Sequence, residues 1–208
     1  MKTQQEYIKD LTEIRTMMER STRFLSLTGW SGIMAGIYAL LGAVIAWKLF
    51  YTSGNGMLHS MLNREEITGN VTGLFLLALG VLVLAIGTAI LFSYRKSRRK
   101  GEKLWNQAAR RLVINLSLPL ITGGILILIL FSKGFFSLIA PMTLIFYGLA
   151  LLNASKFTYD QLKYLGMIQV ALGLIATWLP GYGLLLWAIG FGVMHIVYGI
   201  YMHLKLEQ

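Results

Sequence analysis

The chain alternates long apolar runs with shorter polar ones. Six runs contain no Asp or Glu: about Phe24 to Phe50, Val71 to Tyr94, Leu112 to Phe131, Phe135 to Asn153, Leu162 to Leu179 and Gly183 to Met202. Crossing roughly 30 Å of hydrocarbon at about 1.5 Å per residue takes about 20 apolar residues. Several runs reach that length, the fourth and fifth being the shortest. The pattern predicts an all-α integral membrane protein with six transmembrane helices over residues 24–208. Ahead of them, Tyr7, Ile8, Leu11, Ile14 and Met18 recur at helical spacing among Glu6, Lys9, Asp10, Glu13 and Glu19, which predicts an amphipathic helix within residues 1–23. Its mixed charge is unlike the Lys- and Arg-rich polar face of a helix lying on lipid. That leaves two roles: packing on its own bundle, or self-association or protein-partner contact through residues 1–23. Ser21 and Thr22 are the expected caps of the first span. The loop Thr52 to Gly69 turns at Gly54, Asn55 and Gly56 and repeats apolar residues at Met57, Leu58, Met61 and Leu62, a short helix at the membrane surface. The polar start and full-length first run predict a chain inserted without a cleaved leader.

Charge orients the spans. Of 19 Lys and Arg, all but Lys48, Arg64 and Lys133 lie before the first run, between the second and third, between the fourth and fifth or at the very start of the fifth, or after the sixth. Basic flanks stay on the cytoplasmic side, so both termini are expected there, as an even number of spans requires. The densest group is Arg95, Lys96, Arg98, Arg99, Lys100, Lys103, Arg110 and Arg111. It carries the topology signal and is also a candidate lipid-binding set, each basic residue near an anionic leaflet contributing on the order of 1 kcal/mol. Leu104, Trp105, Ala108 and Leu112 predict an interfacial helix continuing into the third span. The lipid bilayer is the expected partner, anionic lipids being the alternative reading of this basic group, and nucleic acid is not. Composition agrees: 56% of residues are apolar, 13% charged, and mean hydropathy is +0.63, whereas about a quarter of residues in soluble proteins are charged.

Packing within lipid depends on close backbone approach, which small residues allow. Gly73, Gly80 and Gly87 are spaced by seven, as are the pairs Gly166–Gly173, Gly183–Gly190 and Gly192–Gly199. Seven residues return to nearly the same helix face, about 20° off, so these glycines predict seams between helices. The seams also suggest repetition. Gly80 with Gly87, Pro141 with Gly148 and Gly192 with Gly199 recur in the second, fourth and sixth spans, and Phe146-Tyr147-Gly148-Leu149 matches Val197-Tyr198-Gly199-Ile200. Gly42, Gly124 and Gly173 sit midway along the odd spans. The expected architecture is three pseudo-repeated helical hairpins, parallel to one another rather than inverted.

The segment Gly173-Leu-Ile-Ala-Thr-Trp-Leu-Pro-Gly-Tyr-Gly-Leu-Leu-Leu-Trp-Ala-Ile-Gly-Phe-Gly, running on to Gly199-Ile-Tyr, resembles the HdeD-type short-repeat membrane proteins. Those are six-span proteins of glycine-rich hairpins with a Pro near the outer turn. The resemblance implies a bacterial inner (cytoplasmic) membrane and a link to stress tolerance, with no catalytic residues to carry over. The amphipathic start, basic second loop and long first loop depart from that pattern.

With no cysteine, disulfides, thiolate catalysis and cysteine-bound metals are excluded. Gly29-Trp30-Ser31-Gly32 matches the Gly-x-Ser-Gly of rhomboid-like proteases, and Ser31 and His195 lie at similar depth. The serine is on the wrong span for that family, however, and its oxyanion donors have no counterpart, so helix packing is the reading taken. His195 is the deep ionisable residue, and intramembrane ionisable groups are functional candidates by default. As a candidate polar or pH-sensing site it is grouped with Gln169, Asn115 and Tyr147; a neutral histidine bonded to a facing carbonyl or one of these is the structural alternative. Pro119, with Gly123 and Gly124, is a candidate bend in the third span. No metal, cofactor or enzymatic activity is expected. Two functions stay open: a non-enzymatic membrane module acting through partner or lipid contacts, and a small channel or carrier for a neutral or weakly polar solute.

Overall fold

The computed structural model describes residues 23–52, 64–99, 101, 104–179 and 181–206. The amphipathic helix expected before Arg23, the short helix expected at Met57 to Leu62, and Lys100, Lys103 and Pro180 lie outside them. The described residues form helices and no strands: α1 (Gly29–Thr52), α2 (Arg64–Arg99), α3 (Gln107–Ser132), α4 (Ile139–Ala154), α5 (Leu162–Trp178) and α6, which runs as Gly183–Trp187, a π-helical stretch Ala188–Met194, and His195–Leu206. Single 3-10 turns, Phe136–Leu138 and Ser155–Phe157, flank α4. Five helices are long and apolar enough to cross a membrane, and α5 is a shorter apolar helix. A chain with this many such helices is a multi-pass membrane protein.

Helix starts differ from the apolar boundaries where polar chemistry intervenes. Phe24–Thr28 is apolar yet not helical, and α1 begins only at Gly29. Its cap is therefore Thr28, not Ser21 or Thr22: the Ser31 N–H donates to Thr28 Oγ1 at 3.3 Å, and Ser31 Oγ donates to the Thr28 carbonyl at 2.6 Å. At the other boundary, Arg95, Lys96, Arg98 and Arg99 belong to the last turns of α2 rather than to a loop, where cations oppose the partial negative charge of a helix C-terminus. Trp105 is not on an interfacial helix. Asn106 caps α3 by accepting the Ala109 N–H at 2.8 Å, so Leu104 and Trp105 precede the helix.

Residues Arg23–Thr28 form a strap across the basic end of the bundle, where α1, α3 and α5 begin and α2, α4 and α6 end. An extended segment has no internal partners for its peptide groups, so they must be satisfied by neighbours. Phe24 N–H donates to the Phe157 carbonyl at 2.7 Å, and Phe24 O accepts from Thr158 Oγ1 at 2.7 Å. Leu25 O accepts from the Tyr159 hydroxyl at 2.9 Å, and Leu27 O from Lys96 Nζ at 2.7 Å. Ser97 Oγ donates to Ser26 Oγ at 2.9 Å, both serines being buried. Beneath the strap, Phe24 packs with Ala108, Ala109, Leu112, Leu151, Ala154, Leu162 and Leu165.

Two glycine seams hold the bundle. On α4 and α5, which pack together most extensively, a Cβ on Gly148 would fall 2.7 Å from Gly166 O, and one on Gly166 would fall 2.8 Å from Gly148 O. A Cβ on Gly173 would lie 2.9 Å from Pro141 O and 3.0 Å from Ile145 N. On α6 and α1 the arrangement recurs: Gly199 and Gly29 face each other's carbonyls, and a Cβ on Gly36 would lie 2.6 Å from Gly192 O and 3.0 Å from Ile196 N. By contrast, the expected seam Gly73, Gly80 and Gly87 packs on nothing within 4 Å. The reason is placement: α2 packs chiefly on α1, touching it at Gly42 through Val81, and its glycines face away.

Candidate functional site: a buried histidine and a basic rim

The π-helical stretch of α6 carries Gly190 and Gly192, and it is followed directly by His195. Such wide turns re-aim carbonyls and side chains that a regular helix would keep in register. Here the Gly190 carbonyl receives Gln169 Nε2 at 2.7 Å and His195 Nδ1 at 3.0 Å. A carbonyl accepts only, so Nδ1 carries the ring proton and Nε2 is left as an acceptor, which the Tyr147 hydroxyl fills at 2.8 Å. Gln169 Nε2 also lies 3.5 Å from His195 Nδ1, but both atoms are donors in this network. Each imidazole nitrogen is thus engaged. A Cβ at Gly190 would fall 2.6 Å from Gln169 Oε1 and 2.6 Å from Leu144 Cδ2, so a side chain there would displace the ends of both.

Aromatic rings close the cluster. Phe191 stacks on His195 with centroids 5.8 Å apart and ring planes 13° apart, and lies 4.9 Å from Tyr147 and 5.0 Å from Trp187. Leu144 and Gln169 are fully buried and His195 is 6% exposed. Two polar atoms in this region have no partner among the described residues, Gln169 Oε1 and the Tyr198 hydroxyl.

The structure therefore brings together His195, Gln169 and Tyr147. Asn115 lies apart: its Nδ2 donates to the Arg111 carbonyl one turn back on α3, and its surroundings are a surface groove shared with Asn153. Ser31 is apart chemically as well. Its hydroxyl is committed to the Thr28 carbonyl and makes no hydrogen bond with His195, whose ring nitrogens face Tyr147, Gly190 and Gln169. Among the described residues no group of His, Cys, Asp or Glu is placed to hold a metal ion.

At the basic end, Arg95, Arg98, Arg99, Arg110 and Arg111 are exposed and form no ion pair among the described residues. Asp160 at this end is taken by Arg23, 2.8 Å away. Lys96 departs from the expected lipid-binding set: its ammonium is turned inward onto the Leu27 carbonyl and lies 5.9 Å above the Tyr159 ring. The apolar pattern gave no sign of the strap, since Ser26 and Ser97 each read as an isolated polar residue until the fold brings them together. Gly190 and Phe191 stood in the sequence as a Gly-Phe-Gly triplet, a signal for close packing but not for a carbonyl turned toward a histidine.

Comparison with protein-family models, with curated proteins and with solved structures finds no match for this chain.

Proposed function

We propose that this is a six-span membrane module with both termini in the cytoplasm, built as three parallel hairpins, which acts through contacts at its basic cytoplasmic face rather than through chemistry or passage at its centre. The observation that carries this reading is the contrast between the two polar regions. In the deep cluster both imidazole nitrogens are bonded and an aromatic ring stacks over the imidazole, whereas Arg95, Arg98, Arg99, Arg110 and Arg111 of the rim have no acidic partner among the described residues. Cations at a membrane surface favour anionic lipid headgroups, and the compartment implied by the HdeD-type resemblance is a bacterial inner membrane. A protein partner would meet the same face, because Arg23 at the start of the strap pairs with Asp160 there and the strap itself is bonded to the end of α2.

The hairpin reading is supported by the two glycine seams. Pro141, Ile145 and Gly148 meet Gly173 and Gly166 as Gly192, Ile196 and Gly199 meet Gly36 and Gly29, with identical spacing on both sides. One joins the second hairpin to the third and the other joins the third to the first. In this register Gly36, rather than the expected Gly42, is the counterpart of Gly173.

The carrier reading needs a polar route from His195 toward either surface. Asn115, the expected next step, bonds to its own helix instead. The test is solute flux in proteoliposomes alongside His195→Ala. The module reading expects wild-type flux equal to that of empty vesicles; flux that is present and disappears with the histidine refutes it. Enrichment of anionic over zwitterionic lipid with the purified protein, lost when Arg95, Arg98, Arg99, Arg110 and Arg111 are neutralised together, tests the rim.

A further inference from the structure

On α3, Val113, Ile114, Leu118 and Ile121 form one wall of a groove of about 400 Å³ that also takes in Asn115, Ser117 and, from the end of α4, Asn153. Its polar groups are unusual for a lipid-facing surface, where an unsatisfied amide is costly. Asn115 Nδ2 donates to Arg111 O and Ser117 Oγ to Val113 O, yet Asn115 Oδ1 and the whole Asn153 amide have no hydrogen bond among the described residues. Pro119 adds to the demand, because it has no N–H to give the Asn115 carbonyl. Above the groove stand cations. Arg110 and Arg111 lie about one turn, or about 6 Å, nearer the basic end than Asn115, and Lys156 follows Asn153 by three residues; all three are exposed.

We infer that this groove is a binding site for one anionic phospholipid of the cytoplasmic leaflet. The order of chemistry along the groove matches the order along such a molecule: cations for the phosphate, then the N–H donors of Asn153 and the second N–H of Asn115 for the ester oxygens, then aliphatic side chains for an acyl chain. Charge complementarity selects an anionic lipid, since no acid offsets Arg110, Arg111 and Lys156 among the described residues. The inference deepens the rim reading and rests on it, but it assigns one specific lipid to a shaped site where the rim alone gives a diffuse preference.

The experiment is native mass spectrometry of the detergent-purified protein titrated with phosphatidylglycerol or phosphatidylcholine, with inorganic phosphate as a separate competitor. Wild type is expected to retain one phosphatidylglycerol in preference to phosphatidylcholine and to keep it in the presence of phosphate. Each of Arg110→Ala and Arg111→Ala should lower that retention about fivefold, the equivalent of about 1 kcal/mol per basic residue. The charge-preserving pair Asn115→Leu with Asn153→Leu should lower it as well, whereas Arg95→Ala with Arg98→Ala should leave the single tightly held lipid in place. Unfolding temperature and gel-filtration profile for each variant show that loss is not misfolding; if the paired leucine variant does not fold, Ser117→Trp fills the groove in its place. Retention unchanged by the groove variants while general anionic preference persists overturns the site and spares the rim. Displacement by phosphate alone overturns it too, and absence of any anionic preference overturns both.

Discussion

The seam between α4 and α5 yields a quantitative test through Gly148→Ala. The new Cβ would lie 2.7 Å from Gly166 O and 2.8 Å from Val170 N, whereas ordinary contact begins at 3.4 Å. Both are backbone atoms of the facing helix, so no rotamer change relieves the clash and the helices must part by about 0.7 Å, the difference between those distances. A gap of about 0.5–1 Å forfeits a quarter to a half of each dispersion contact along the seam, and overpacking of this kind costs about 1–3 kcal/mol. The opposing term is the higher helix propensity of alanine, at most about 1 kcal/mol. Crowding outweighs it, leaving a net loss of up to about 2 kcal/mol. Gly87→Ala is the internal control, because no atom lies within 4 Å of its Cβ position, so only the propensity term operates and stability should hold or rise. Unfolding of the purified protein in mild detergent, by heat or by titration with sodium dodecyl sulfate, separates the two; at about 2–4 °C per kcal/mol the loss is measurable. If Gly148→Ala proves as stable as Gly87→Ala, the close approach of α4 and α5 is wrong, and so is its counterpart at Gly199, where a Cβ would lie 2.6 Å from Gly29 O.

Substitutions at three other positions probe the remaining polar contacts by the same unfolding measurements. Tyr147→Phe strips His195 Nε2 of its donor and should destabilise by about 1–3 kcal/mol, the cost of leaving a buried acceptor unpaired; an unchanged midpoint would show that water or another group reaches the ring. Gln169→Leu should stay within about 1 kcal/mol of wild type, because the unpartnered Oε1 disappears while Gly190 O retains His195 Nδ1, whereas Gln169→Glu buries a carboxyl group without a cation and should be clearly worse. Lys96→Met leaves the Leu27 carbonyl without its ammonium donor and should cost about 1–3 kcal/mol; limited proteolysis should then cut within Arg23–Thr28 sooner than in wild type, and equal cutting rates would remove the strap from the account of stability.

What the sequence determined by itself was the class and the grain of the molecule. Backbone polar groups in lipid must be satisfied within the segment, so a long apolar run favours a helix, and the end of α3, both ends of α5 and the start of α6 follow closely from where those runs stop. The basic end was legible because a topology signal is a matter of composition, independent of neighbours. Pairing was not. Gly80 with Gly87 and Gly192 with Gly199 carry the same spacing of seven, yet only the latter pair packs against other helices, since which face of a helix turns inward depends on where the other helices stand. Asn115 and Gln169 are likewise both amides on apolar helices, and only the fold carries Gln169 to the Gly190 carbonyl while returning Asn115 to its own backbone. The strap shows the limit most plainly: Phe24–Thr28 lies in an apolar run, yet it is not helical, and Thr158, Tyr159, Lys96 and Phe157, distant along the chain, supply hydrogen bonds a helix would otherwise have made.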